Sequence, residues 1–295
     1  MTSAPWNPAI ASESSEPGPL RFGDWFTESD ELHVVRVIGE SFVRGVFGAH
    51  GSQGVLGQER RQLQQLVTDA RLRHAARIDV RQSDDVSAAL RDAAGPSEPL
   101  ILGRRARSRA QAMVRLGPVA RRVLRAAQGP VIMVPPALER VGAGPVLLAT
   151  ACGGSEEAAV IRFARDVAAH KRRPLLAVHA FDLPDPEYRS GFALSTPALG
   201  HLERERRERA ERRLALWADE NGFSHADTRL LQGDELESIV SLAESLDAAL
   251  VVSAAPPRGP WEVMSGPSFS SDLASHAGCA VALIPALPSA AQARA

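Results

Sequence analysis

The sequence predicts an α/β protein of two tandem doubly wound domains, each built on a five-stranded parallel sheet. Three observations carry this. Short apolar runs alternate with amphipathic segments, the alternation occurs twice, and the composition is that of a globular chain. The 295 residues are 44% hydrophobic and 23% charged, with a formal net charge of −1. That length suits about two domains, and the composition is ordinary for a soluble fold. A net charge near zero argues for neither a nucleic-acid nor a membrane partner.

Self-comparison exposes the duplication. The stretch Gln82–Gly103, QSDDVSAALRDAAGPSEPLILG, resembles Gln232–Ser253, QGDELESIVSLAESLDAALVVS. VIMVP (Val131–Pro135) resembles VALIP (Val281–Pro285), so both pairs are offset by about 150 residues. Looser matches pair Glu31–Val37 with Pro174–Ala180 and Ser14–Pro17 with Gly154–Glu157. Their offset is somewhat smaller, so the second copy carries insertions. A repeat this long is a duplicated domain rather than a solenoid unit. The Pro/Gly/charge-rich stretch PALERVGAGP (Pro136–Pro145) separates two apolar strands. It sets domain one at residues 1–137, a linker at 138–143, domain two at 144–287 and a frayed tail at 288–295.

The second copy reads in order as follows. PVLLATA (Pro145–Ala151) is a continuous apolar run, as for a strand buried on both faces. GGSEEAAVIRFARDVAAH opens with Gly and Ser, carries acids in its first turn and continues with helical periodicity. PLLAVHAF is a second buried strand, and LERERRERAERRLALWADENG a long helix ending at Gly222. ADTRLLQ is a short strand, DELESIVSLAESL a helix with an acidic start and AALVVSA a strand. SFSSDLASHAG is a helix and CAVALIPA the last strand. The first copy follows the same order from LHVVRVIG onward, but its first strand, WNPAIAS, is short and holds Pro8. Strands separated by helices imply right-handed crossovers and a parallel sheet covered on both faces. In such sheets a ligand lies beyond the carboxyl ends of the strands where the strand order reverses, at the loops after strands one and four.

At those loops the chain resembles the universal stress protein family in its tandem form. The family's first strand reads V-x-V-D-x-S, and its fourth strand runs into G-x2-G-x9-G-[ST]. Here the fourth strands continue as LILGRRARSRAQAMVRLGPVARRV and LVVSAAPPRGPWEVMSGPSFSSDL. The resemblance covers nearly the whole chain. It implies a Rossmann-like fold whose two copies pair through their fifth strands, GPVIMVPP and GCAVALIPA, as an intramolecular pseudo-dimer. Two chains are expected to self-associate further through the same strands.

The nucleotide motifs depart from the family pattern. The first copy keeps Gly103 and Gly117, has Ala106 for the middle glycine, and has Pro118 in place of the hydroxyl residue. The second copy keeps the spacing Ser253–Pro256–Gly266, with Pro267 in place of the hydroxyl residue. A phosphate at a helix N-terminus uses backbone N–H groups and that hydroxyl. Proline suits the first helical position but removes both. The family's adenine-side aspartate falls at Glu13 in the first copy and at Ala151 or Gly153 in the second. The candidate nucleotide-binding residues are therefore Glu13, Gly103, Arg104, Arg105 and Gly117 in the first copy, which is favoured. In the second they are Gly153, Ser253, Gly266 and Ser268. Arg104, Arg105 and Arg107 are expected to replace lost backbone donors, so the cofactor, if any, is ATP in domain one.

The remaining residues carry blander readings. Glu203–Arg207, Glu205–Arg209 and Glu208–Arg212 are i,i+4 pairs, read as a solvated helix face. Cys152, near a helix N-terminus, is read as a small apolar filler with a redox role as the alternative, and Cys279 as core. With two cysteines and scattered histidines there is no metal signature and no catalytic site. The N-terminal stretch lacks the basic and apolar regions of a signal peptide, so a cytoplasmic chain is expected. The leading reading is a non-catalytic stress-linked binding or regulatory protein with degraded nucleotide loops, whose protein partner is unknown. The alternatives are an ATP-binding stress protein with one working site in domain one, and a nucleotide hydrolase on the same fold.

Overall fold

The computed structural model describes residues 6–11, 16–47, 52–95, 98–104, 116–153, 157–182, 196–255 and 268–285. The first half contains β1 (Ala9–Ala11), α1 (Gly18–Phe26), β2 (Glu31–Ile38), α2 (Glu40–Phe47), α3 (Ser52–Ala70), β3 (Ala75–Gln82), α4 (Val86–Ala94), β4 (Leu100–Gly103), α5 (Pro118–Ala126) and β5 (Val131–Val134). The second half contains β6 (Val146–Ala149), α6 (Glu157–His170), β7 (Leu175–Phe181), α7 (Thr196–Asn221), β8 (Thr228–Gln232), α8 (Glu235–Ser245), β9 (Leu250–Ala254), α9 (Phe269–His276) and β10 (Ala280–Ile284).

These strands make one ten-stranded sheet in the order β3-β2-β1-β4-β5-β10-β9-β6-β7-β8. Each half is a doubly wound parallel sheet, and the two meet at β5 and β10, the antiparallel pair. The register there pairs Ile132 with Ala282, its own repeat equivalent, so an approximate two-fold axis passes through that pair. β5 lies between β4 and β10, and β10 between β5 and β9, so the backbone edges of both are used within the chain. The outer edges are β3 and β8. Arg77, Asp79 and Arg81 line β3, the charge pattern that keeps an edge from pairing further. Association of two chains through the fifth strands would have to displace the internal pairing.

Side chains alternate across the sheet and divide the core between its faces. On one face Ile10, Val34, Ile101, Ile132, Leu148 and Val252 pack with α1, α3, α6 and α7. On the other, Val35, Leu102, Met133, Leu147, Val251 and Leu283 pack with α4, α5, α8 and α9. Both clusters run through both halves. β1 is only three residues long, yet all three are buried and pair with β2 and β4. Pro8 lies just outside this strand, where its missing N–H costs no ladder bond.

Contacts across the halves reinforce the β5–β10 seam. Trp6 stacks on Phe26 at 5.1 Å and lies 5.4 Å from Phe163 of α6. Lys171 donates to the Thr27 carbonyl at 3.3 Å, above the Trp25 ring. The segment joining the halves is strapped down: Asp247 Oδ2 accepts from Arg140 and from the Ala143 amide, both at 2.8 Å. A Cβ on Gly144 would lie 1.9 Å from the Leu246 carbonyl oxygen. Gly144→Val is therefore expected to cost at least about 2 kcal/mol, measured by urea unfolding.

Within the first half Asp24 ties α1 to the start of β3. Its Oδ1 accepts from the Arg73 and His74 amides at 2.9 and 3.1 Å, and Oδ2 from Arg73 Nε at 3.0 Å. Burial pushes this carboxyl up, but the hydrogen bonds from Arg73 and His74 outweigh it and hold it below the usual range. A depressed folded pKa stabilises above the unfolded value and loses that contribution as pH falls through the folded one. Asp24→Asn should cost about 1–3 kcal/mol at neutral pH. The gap to the unmodified protein should narrow below about pH 4, as read by denaturation across pH.

Candidate functional site

The strand order reverses between β1 and β4 in the first half and between β6 and β9 in the second. In the second half the carboxyl ends of β6 and β9 open into a cavity of about 180 Å³. Thr150 and Ser253 stand at the strand ends, Glu157, Glu235 and Phe269 at the starts of three helices, and Trp217 reaches in from α7. A larger hollow, about 340 Å³, lies at the opposite end of β4 and β5, beside Arg91 and Glu98, away from the strand reversal.

Glu157 organises the second crevice. It is the first residue of α6, where the helix dipole favours an anion. Its Oε1 accepts from the Ala151 amide at 3.1 Å, and its Oε2 from Trp217 Nε1 at 2.6 Å. Thr150 Oγ1 lies 3.0 Å from both carboxylate oxygens and itself accepts from the Cys152 amide at 2.9 Å. Arg213 Nε donates to the Cys152 carbonyl at 3.1 Å, fixing the other side of a residue whose φ is +53°. His179 is buried with Nδ1 2.9 Å from the Thr150 carbonyl, and burial lowers its pKa. The amide of Ala151 at the first-strand turn is thus taken by the chain's own carboxylate.

The sequence-derived candidates fall in different places. Ser253 is buried in the wall of this cavity. Gly153 follows the turn, and a Cβ there would come within 3.1 Å of Arg213 Nη2. Ser268 is the N-cap of α9, its hydroxyl accepting from the Ser271 amide at 3.4 Å. The helix therefore begins at Phe269, one residue beyond the start of the predicted stretch SFSSDLASHAG. In the first half Gly103 ends β4, and Gly117 caps α5 with Pro118 as its first residue. Among the described residues a Cβ on Gly117 would meet nothing within 4 Å. Arg104 points elsewhere: its Nη1 donates to the Ser275 carbonyl at 2.7 Å and the Ala274 carbonyl at 3.4 Å, the last turn of α9. Burial lowers its pKa from the usual arginine value. The guanidinium expected to meet a phosphate instead satisfies helix carbonyls across the seam. Glu13, Arg105, Arg107, Ala106, Gly266 and Pro267 lie outside the described residues.

Glu157 and Trp217 were not singled out by sequence reasoning. The acid in the first turn of α6 is visible as a dipole complement, but its indole partner is 60 residues away. Among the described residues no group of three or more His, Cys, Asp and Glu could hold a metal ion. No described helix is long and apolar enough to cross a membrane. The thiols are not activated. Burial pushes Cys152 up to about 11 and Cys279 up to about 12. Thiolate forms only as pH approaches those values. Iodoacetamide at pH 8 should therefore label both cysteines slowly in the folded protein and quickly after denaturation, as followed by mass spectrometry.

Residues 143–285 match the universal stress protein family. No curated protein matches the chain. Among solved structures the chain is similar to a functionally unknown protein from Pseudomonas aeruginosa PAO1, at 16% identity and TM-score 0.62 over 95% of this chain and 93% of that one. It is also similar to a universal stress protein from Archaeoglobus fulgidus DSM 4304, at 16% identity and TM-score 0.58 over 96% of this chain and 97% of that one. At such identities the likeness is one of fold.

Proposed function

We propose, for a chain that belongs to the universal stress protein family through residues 143–285, a non-catalytic binding or regulatory role in which the second crevice does not take nucleotide. One observation carries this reading. Glu157 holds the Ala151 amide, the Thr150 hydroxyl and the Trp217 indole, so the polar groups at the first-strand turn are taken up within the chain and a carboxylate stands in the crevice. A phosphate charge about 4 Å from that carboxylate would meet a repulsion on the order of 4 kcal/mol at the effective dielectric near a protein surface. Glu235 adds a second carboxylate, and the described lining contains no Lys, Arg or His to offset either. Ser253 Oγ is 3.4 Å from the neighbouring Ala254 carbonyl oxygen.

A second reading, ATP held in the first half, is favoured by the space around Gly117 among the described residues. Against it, Arg104 is committed to α9. One experiment separates the two. The protein is purified without added nucleotide, denatured, and its released small molecules quantified, and the intact protein is then titrated with ATP in a thermal-shift assay. The proposed role expects no adenine nucleotide and no shift at millimolar ATP. About one nucleotide per chain would overturn it. Because a side chain at Gly117 meets no neighbour among the described residues, Gly117→Val should fold normally and would abolish an ATP-induced shift arising in the first half.

A further inference from the structure

The second crevice is closed to phosphate by its charge but remains a formed cavity. Its volume, about 180 Å³, is close to the roughly 150 Å³ apolar cavity that admits a single aromatic ring. The floor is apolar, with Leu148 and Val160, and the aromatic wall is Trp217 and Phe269. The charged groups in the described lining are both carboxylates, Glu157 and Glu235. Glu157 is saturated by three donors, but Glu235 has no hydrogen-bond donor among the described residues. Burial, and then the neighbouring Asp234, push the Glu235 carboxyl above its usual range. A half-buried carboxylate without a donor is a cost that a bound cation would offset. The guanidinium of Arg213 is turned onto the Cys152 carbonyl and does not line the cavity.

We infer that the second crevice binds a small organic cation, a primary amine with a compact apolar body of one-ring size. The ammonium sits toward Glu235 and Glu157, and the apolar body lies against Trp217, Phe269 and Leu148. The Ser253 hydroxyl offers a further acceptor. This inference rests on the reading that the crevice excludes nucleotide, and it adds the chemical class of the ligand.

The test uses the full chain and three probes of one shape and different charge: benzylammonium, benzyl alcohol and benzoate. Isothermal titration and ligand-observed NMR should show benzylammonium binding at least about tenfold more tightly than benzyl alcohol, with no binding of benzoate. Glu235→Gln, a change of charge at nearly constant shape, should bring the cation down to the affinity of the alcohol. Ser253→Leu, which fills the cavity, should abolish binding of both. Absence of benzylammonium binding, binding indifferent to charge, or a cation preference that survives Glu235→Gln would each overturn the inference. Retained ATP would instead overturn the nucleotide-free reading. A nucleotide-free protein that ignores benzylammonium leaves that reading standing and removes only the amine site, so the two failures are distinguishable.

Discussion

Everything in this molecule is arranged about the antiparallel pairing of β5 with β10. Both strands are wholly apolar, and every residue in both is buried. Left as edges they would expose a row of unpaired backbone groups on apolar sequence, a template for aggregation. Pairing them within one chain satisfies both edges and merges the two cores into continuous layers on each face of the sheet. It also supports a first half whose β1 has only three residues and whose β4 and β5 have four each. The Trp6–Phe26–Phe163 stack and the strapped connector follow from that seam, because the pairing fixes which helix faces meet.

The seam imposes symmetry on the backbone but not on the crevices. The repeat equivalent of Glu157 is Pro17, and that of Arg104 is Ala254. One half therefore carries an internal anion in its strand-one turn, and the other carries a guanidinium after strand four. Neither group is arranged as a phosphate receptor. Glu157 occupies the donors of its own turn, and Arg104 crosses the seam to the end of α9. Duplication supplies two copies of a ligand crevice, and small changes in side chain alter what each one attracts.

The second crevice illustrates how a polar group reshapes a site without a change of fold. A carboxylate at a helix start is favoured by the dipole, by three hydrogen bonds and by little loss of chain freedom. Its charge makes that end of the pocket anionic. The surrounding wall is apolar and aromatic, so the carboxylate stands in a cavity otherwise lined by Leu148, Val160, Trp217 and Phe269.

The sequence by itself determined the duplicated α/β architecture. Apolar runs such as VLLA and ALVV mark strands buried on both faces, periodicity marks the helices, and the offset of VIMVP from VALIP announces the repeat. Those signals are local, because strand and helix burial repeat with fixed short periods. The destinations of individual side chains were not legible. That Arg104 ends on Ser275 and that Trp217 meets Glu157 depend on which elements the crossovers bring together. An arginine beside a ligand loop has the same sequence appearance whether it faces a phosphate or a helix end. Only the tertiary structure decides, because both offer a negative partner and the nearer one is set by packing.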